Sequence, residues 1–557
     1  MSEPVRDIVI VGGGTTGWLA AAHLNHRLQW GIGHPDNVRV TLVEAPDIPT
    51  IGVGEASIPP FRAMLAMLDI DEKEFVARTQ ATFKLGVRFD DWDRDEAGSG
   101  RSFFHPFGAG IQVAGRNPAA SLLAYGLPDG LDSDPQLANL IGHCVAAVKA
   151  HRAPRRADDP PYGGAINYAY HFDAGLLADF LREICVARGV VHVRDTVVGA
   201  ERDARGHIAA LRLRDGGRRP VELVLDCSGF RGVLINEALE EPFVSYADYL
   251  PNDRAIAIQI AHDDRRALLP ATVSTASDAG WMWRIPLQSR IGTGHVYSSA
   301  FLNDTQAEDL LVARNAGFAP LSDARAIRLR VGRTRRAWVG NCVAIGLSSG
   351  FIEPLESTSI QFVDYACRRL LRTWPTRDFA PAPIAKYNAG IATLYEEVRD
   401  FLGLHFTLGN RRDTPYWRSL AHEVKRSDGL NNCLDLWRHA LPDNFDPRAS
   451  TAFNAGSVAC VLLGKGFYRR PPGTGTDLLP RPQWERYARQ VAAMQQLLVA
   501  QLPDHAEALA AMVDAAETGK TAGRKAPTVA LPTKADAFNT EEPVMAPDMI
   551  LTRAVAG

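Results

Sequence analysis

The chain has 557 residues, 46% apolar and 22% charged, enough to bury a large core in two or more lobes. A formal net charge of −3 excludes a global basic field for nucleic acid. Seven cysteines without a Cys-x-x-Cys pair, and His143, His171 and His295 without ligand spacing, give neither a disulfide framework nor a metal site.

In chain order, residues 7–11 (Asp-Ile-Val-Ile-Val) predict a buried strand, followed by the turn Gly12-Gly13-Gly14-Thr15-Thr16-Gly17 and an apolar helix from Trp18 to Leu28. Residues 38–44 predict a second strand, closing a βαβ unit. Gly12, Gly14 and Gly17 form a dinucleotide fingerprint. The first glycine allows the tight turn, the second lets a pyrophosphate approach the backbone, and the third lets helix and strand pack closely. The helix N-terminus supplies N–H groups and a positive dipole end. Glu44 ends the second strand, where a carboxylate can accept from ribose hydroxyls; its separation from Gly17 exceeds the usual ~20 residues, and a loop at 29–37 accounts for the excess. No second fingerprint of this quality follows, so the cofactor is FAD rather than NAD(P)H. Two further pieces suit it: Gly52 to Ser57, and Trp338 to Gly350, a strand running into a small-residue turn. The latter also reads as a plain tight turn in a sheet.

Residues 153–162, rich in Pro, Asp and Arg, predict a surface loop, and 190–193 and 219–226 predict strands. The arginines between Arg325 and Arg336 alternate with Ile327, Leu329 and Val331, which reads as a half-buried strand with a solvated face; the alternative is a phosphate patch. From about 387 to 513 the pattern is mainly helical, and 515–557 loses apolar periodicity, predicting a mobile or surface-draped tail. With no N-terminal signal and no apolar run of membrane-spanning length, a cytoplasmic protein without membrane or nucleic-acid partners is expected.

Three motifs resemble those of the flavin-dependent tryptophan halogenases: Gly280-Trp-Met-Trp-Arg-Ile-Pro286, Gly350-Phe-Ile-Glu-Pro-Leu-Glu-Ser-Thr-Ser359, and Phe83-Lys84-Leu-Gly86 with Asp91-Trp92. Supporting stretches are Gly52 to Ser57, Tyr168 to Asp173, Asp226 to Gly229 and Arg412 to Trp417, so the resemblance runs from residue 5 to about 470. It implies an α/β fold: a glutathione-reductase-type, aromatic-hydroxylase-like FAD-binding Rossmann domain with a mostly helical substrate lobe. On that basis residues 1–385 form the FAD-binding core, including substrate-contacting insertions at about 83–170, and 386–514 form the lobe. The implied reaction uses FADH2 from a separate flavin reductase, O2, and bromide or chloride. Hypohalous acid travels through an internal tunnel to an aromatic substrate. A homodimer is a further expectation.

The resemblance also implies residue roles. Lys84 is the catalytic lysine, acting as an ammonium that polarises hypohalous acid or as an amine that is halogenated; burial favours the amine. Glu356 is the carboxylate that stabilises the cationic ring intermediate, whereas Glu353 is structural. Backbone N–H groups of Thr358 and Ser359 hold halide. Ser359 replaces the family's glycine, which alters the room around the anion. Trp281, Trp283 and Pro286 mark the signature, the two indoles crowding the flavin side or acting as core aromatics. His105 and Phe107 sandwich the indole, His105 being alternatively a core histidine. Thr15, Thr16, Ala56, Val197, Leu347 and Ile360 join Gly12, Gly14, Gly17 and Glu44 around FAD. Tryptophan-specific members carry adjacent tyrosines and then a glutamate that clamp the amino-acid backbone. Val458, Ala459 and Lys465 stand near those places, and a lysine repels an α-ammonium group. Indole or an indole derivative is therefore expected in place of free tryptophan. An aromatic monooxygenase and a non-catalytic flavin-binding protein are the rival readings.

Overall fold

A computed structural model describes residues 3–521 apart from 30–35, 48–53, 96–97, 109–112, 114–115, 132–142, 263–267, 445, 447–451 and 474–477. The expected 29–37 loop, Gly52 and the chain beyond 521 therefore lie wholly or largely outside the described residues.

The apolar run Asp7–Val11 becomes the middle of a six-stranded sheet in the order Trp338–Val339, Cys342–Ala344, Leu223–Asp226, Asp7–Val11, Arg39–Glu44, Val191–Arg194. Every pairing is parallel except the first. Ile8, Val9 and Ile10 have no exposed surface, as expected of a strand covered on both faces. The helix Thr15–Leu28 lies between this sheet and the helices Ala174–Ala187 and Ser359–Arg372.

A second large sheet has seven strands, in the order Arg325–Arg328, Arg254–Ile260, Ile291–Tyr297, Gly280–Pro286, Thr272–Ser277, Gly86–Arg94, Gly100–Pro106. The arginine-rich strand is its edge and is mostly exposed, in line with a solvated face. A small sheet of Thr82–Lys84, Ala169–Asp173 and Gly54–Ala56 packs through Gly54–Ala56 against the strands Gly280–Pro286 and Ile291–Tyr297. Beyond it the chain is helical: Pro381–Thr407, Pro415–His422, Asp428–Trp437, Ala455–Gly464, Arg481–Gln501 and His505–Thr521. The last helix runs past the expected start of the tail at 515.

Residues 153–162 form an irregular loop, exposed or half-exposed from 156 onward as expected but buried over its first three residues. Ala153 and Arg155 are buried, and the Arg155 guanidinium pairs with Glu72, which also accepts from the hydroxyls of Tyr168 and Tyr170 at 2.7 Å. Composition suggested solvent, but a charge whose partner is supplied by a distant helix can be buried. Among the described residues no helix is long and apolar enough to cross a membrane.

Candidate active site

At the end of the Asp7–Val11 strand, Gly12 has φ +117°, and a Cβ there would lie 2.3 Å from the Cys227 carbonyl oxygen, so only glycine fits. Gly17 is constrained by the turn itself, since its Cβ would come within 1.9 Å of Gly12 O. Beside Gly14, by contrast, a Cβ would meet nothing within 4 Å, and no side chain caps the helix that starts at Thr15. An open cradle facing uncapped N–H groups fits a pyrophosphate. Glu44 receives a hydrogen bond from His192 Nε2 at 2.7 Å, consistent with a carboxylate held in place for ribose.

The other FAD candidates divide. The short turn Gly346–Ser348, which carries Leu347, abuts Thr16: a Cβ on Gly346 would lie 2.5 Å from Thr16 Cγ2. The helix bearing Ile360 packs on that turn and on Thr15–Leu28. Ala56 lies on the small sheet, and Val197 packs from a separate three-stranded sheet against the cluster containing Val11 and Val43. These residues fit a cofactor that starts at the glycine turn and extends across the fold.

Lys84 ends a strand and has no exposed surface. Its Nζ donates to Ser57 O at 3.0 Å and to Ser357 Oγ at 2.8 Å, and lies 5.3 Å from the centre of the Phe107 ring. Burial pushes the amine down to about 7, against the opposing pull of Glu356. The strand itself is tied to the signature motif: Thr82 Oγ1 donates to Pro286 O at 2.7 Å. The Thr82 hydroxyl therefore accepts from His171 Nδ1 (3.0 Å), and His171 Nε2 accepts from Thr272 (2.9 Å).

Glu356 ends the short helix Pro354–Glu356 and is 2% exposed. His105 Nδ1 donates to both carboxylate oxygens at 3.0 Å. His405 Nε2 lies 2.9 Å from Oε1, at ion-pair distance but out of line for a hydrogen bond. Burial alone would raise this carboxyl; the charge and hydrogen bond of His105, with His405 behind it, bring it down to about 2. Ser357 follows in the left-handed region (φ 60°), strained for a side chain other than glycine. That inversion sends the Ser357 hydroxyl to Lys84 while Thr358 caps the helix Ser359–Arg372, again with no side-chain cap on its N-terminus. Uncapped N–H groups at a 14-residue helix favour an anion, as the halide expectation for Thr358 and Ser359 requires.

His105 is thus bonded to Glu356, and its ring lies 5.9 Å from Phe401 and 6.1 Å from Phe453, which stack on each other at 3.8 Å. Phe107 falls on the lysine side, packed with Ile58 and Ala169. Trp281 and Trp283 share one face of their strand, 6.2 Å apart, and both are buried. Trp281 Nε1 donates to Glu353 Oε2 at 2.7 Å, as does Asn252 at 2.9 Å, and burial pushes Glu353 up to about 7.

Sequence reasoning missed His405, Phe401 and Phe453, which carried no motif, and the roles of Ser57 and Ser357, which lay unremarked inside quoted motifs. The structure gives Lys465 a partner that the sequence does not show. That side chain is buried and its Nζ donates to Trp92 O at 2.5 Å, close to Asp93, whose charge attracts it. Lys465 is the C-terminal cap of the helix Ala455–Gly464, and from there its amine reaches Trp92.

A family model described as tryptophan halogenase matches residues 7–480. The chain is 38% identical over 508 residues to tryptophan 7-halogenase RebH of Lentzea aerocolonigenes, covering 86% of this chain and 93% of the relative. It is 38% identical over 529 residues to tryptophan 6-halogenase SttH of Streptomyces toxytricini, covering 91% and 98%. The crystal structure of SttH superposes with a TM-score of 0.84 at 37% identity, covering 91% of this chain and all of that one. BrvH, a flavin-dependent halogenase from Brevundimonas sp. BAL3, superposes at 0.79 with 34% identity, covering 91% and 99%.

Proposed function

Because the chain belongs to the tryptophan halogenase family and is a flavin-dependent halogenase, we propose that it halogenates an indole-bearing substrate with Lys84 and Glu356 as its catalytic residues. The observation that carries this reading is the burial of both side chains around one strained serine: Lys84 bonds Ser357, and Glu356 precedes it. Gly12 to Gly17, Glu44 and the Gly346–Ser348 turn would hold reduced FAD delivered by a separate flavin reductase, and the bound cofactor would supply hypohalous acid from O2 and halide.

An amine at about 7 offers both of its forms near neutrality. The ammonium donates a hydrogen bond to the oxygen of hypohalous acid and polarises the O–X bond; the neutral amine takes X⁺ and releases water. Glu356, held down at about 2, is a weak base and a persistent anion. Its main role is accordingly to stabilise the ring cation, with proton removal secondary. His105 fixes the carboxylate, and with Phe401 and Phe453 it offers flat faces to a flat ring. The backbone N–H groups of Thr358 and Ser359 hold halide, and the Ser359 side chain shifts preference toward bromide. The reading further requires a passage from this halide site to Lys84, whose Nζ is held by Ser57 O and Ser357 Oγ.

For the substrate we propose indole or a substituted indole in preference to free tryptophan. The support is that Val458 and Ala459, both buried, bring no hydroxyl to clamp an amino-acid backbone; Lys465, turned to Trp92, adds nothing to the argument. The test is a reductase-coupled reaction with bromide or chloride and a panel of indoles including tryptophan, read by mass spectrometry. Lys84→Ala and Glu356→Ala should each lower product about 100-fold or more. Unchanged product in either variant overturns that assignment, and tryptophan outcompeting every other indole overturns the substrate reading.

A further inference from the structure

The strand Thr82–Lys84 is three residues long and lies at the edge of its sheet, with Ala169–Asp173 its one partner strand among the described residues. Phe83 pairs with Tyr170 in register, yet its N–H points the other way, into a region without solvent access. A buried edge amide needs an acceptor from elsewhere. It donates to Nε2 of His505, at 3.1 Å, from the first residue of the last described helix.

The hydrogen bonds fix the chemical form of this imidazole. A backbone N–H only donates, so Nε2 is unprotonated; Leu268 O only accepts, so Nδ1 carries the proton, at 3.0 Å. His505 has no exposed surface, and its ring lies 5.8 Å from that of Phe83. Two residues beyond Leu268, Pro270 O accepts from Leu85 N at 2.8 Å. The backbone is thus gripped on both sides of Lys84, through Phe83 by His505 and through Leu85 by the 268–270 segment. His505 is itself anchored: its N–H donates to His151 O at 2.8 Å, and Ala153 N donates to Pro503 O at 3.0 Å. It also lies outside the residues matched by the family model, which end at 480.

We propose that His505 is a positioning residue for Lys84, the C-terminal helix supplying one imidazole acceptor that fixes the backbone just before the lysine and so aims its amine. This rests on the catalytic reading of Lys84. A rotation of the strand would carry Nζ away from Ser57 and Ser357, and displacement of about 1 Å in a reacting group can cost about 100-fold. Hypohalous acid production at the flavin would continue, and the product formed per reduced flavin would fall.

The experiment compares His505→Gln, whose amide oxygen reaches the place of Nε2, with His505→Asn, which keeps only a group near Nδ1. Amide exchange over residues 82–85 reads the hydrogen bond independently of activity. Halogenated indole per FADH2 consumed reads the consequence. H505N should speed exchange at Phe83 and lower that yield about tenfold or more, with FADH2 consumption within about twofold of the parent. H505Q should restore both. Faster exchange with an unchanged yield overturns the positioning role, and unchanged exchange overturns the bond. If H505N does not fold, exchange in the unsubstituted chain decides: a protected Phe83 amide supports the proposal and an unprotected one overturns it. A parent enzyme giving no halogenated product would sink the catalytic reading while the exchange data stood on their own.

Discussion

Replacing Lys84 by methionine should abolish turnover and yet stabilise the chain at neutral pH. The amine titrates at 10.5 when free and at about 7 when folded. Its folded value is depressed, so between these limits the unfolded chain binds the extra proton and stability rises with pH. At pH 7 the lysine costs about 4 kcal/mol, from about three tenfold steps at 1.36 kcal/mol each, and at pH 9 about 2 kcal/mol. Methionine matches its length and removes that cost, but leaves Ser57 O and Ser357 Oγ without their donor, at about 1 kcal/mol each. The net expectation is a variant about 2 kcal/mol more stable than the parent at pH 7 and nearly equal to it at pH 9. Paired denaturant titrations of the two proteins at each pH, without FAD, measure this directly, because other titrating groups cancel in the difference. A variant less stable at pH 7, or a gap that does not narrow by pH 9, would refute the claim that Lys84 is held against its preference for water.

Glu353 should behave in the opposite sense. Its carboxyl is raised from 4.5 to about 7, so its stability contribution is complete below 4.5 and is lost as pH rises through 7. Glu353→Gln, which keeps an oxygen for Trp281 and Asn252, should gain about 3 kcal/mol over the parent at pH 8 and nothing at pH 4.5, as read from paired unfolding curves. Ser359→Gly should move the bromide-to-chloride product ratio toward chloride when both halides are equimolar; an unmoved ratio removes the side chain from the argument. Gly12→Ala should weaken FAD binding by at least about tenfold in a fluorescence titration, because the new methyl would need the Cys227 carbonyl to retreat.

Elements with strong local physics were readable from the chain. The run Asp7–Val11, the glycine turn and the helix after it announce themselves by periodicity and by residues that only one backbone shape tolerates. Lys84 and Glu356 were singled out by motif, and the fold brings both into one buried region 272 positions apart by subtraction of their numbers. His405 left no such trace. It sits on the 27-residue helix Pro381–Thr407 within a run buried from Glu397 to Phe406, where a histidine looks like any other enclosed residue until Glu356 arrives beside it. The burial of Arg155 and the partner of Lys465 were hidden for a related reason. Composition reports a charge, but whether that charge is solvated depends on a partner such as Trp92 or Glu72 supplied from far along the chain.

Ser357 combines two demands that oppose each other under mutation. Glycine would relax its left-handed backbone but delete the hydroxyl that meets Lys84, while any larger hydroxyl-bearing residue would keep the contact and sharpen the steric conflict. Any substitution at this position therefore gives up either the backbone shape or the contact with Lys84, and serine is the compromise that keeps both.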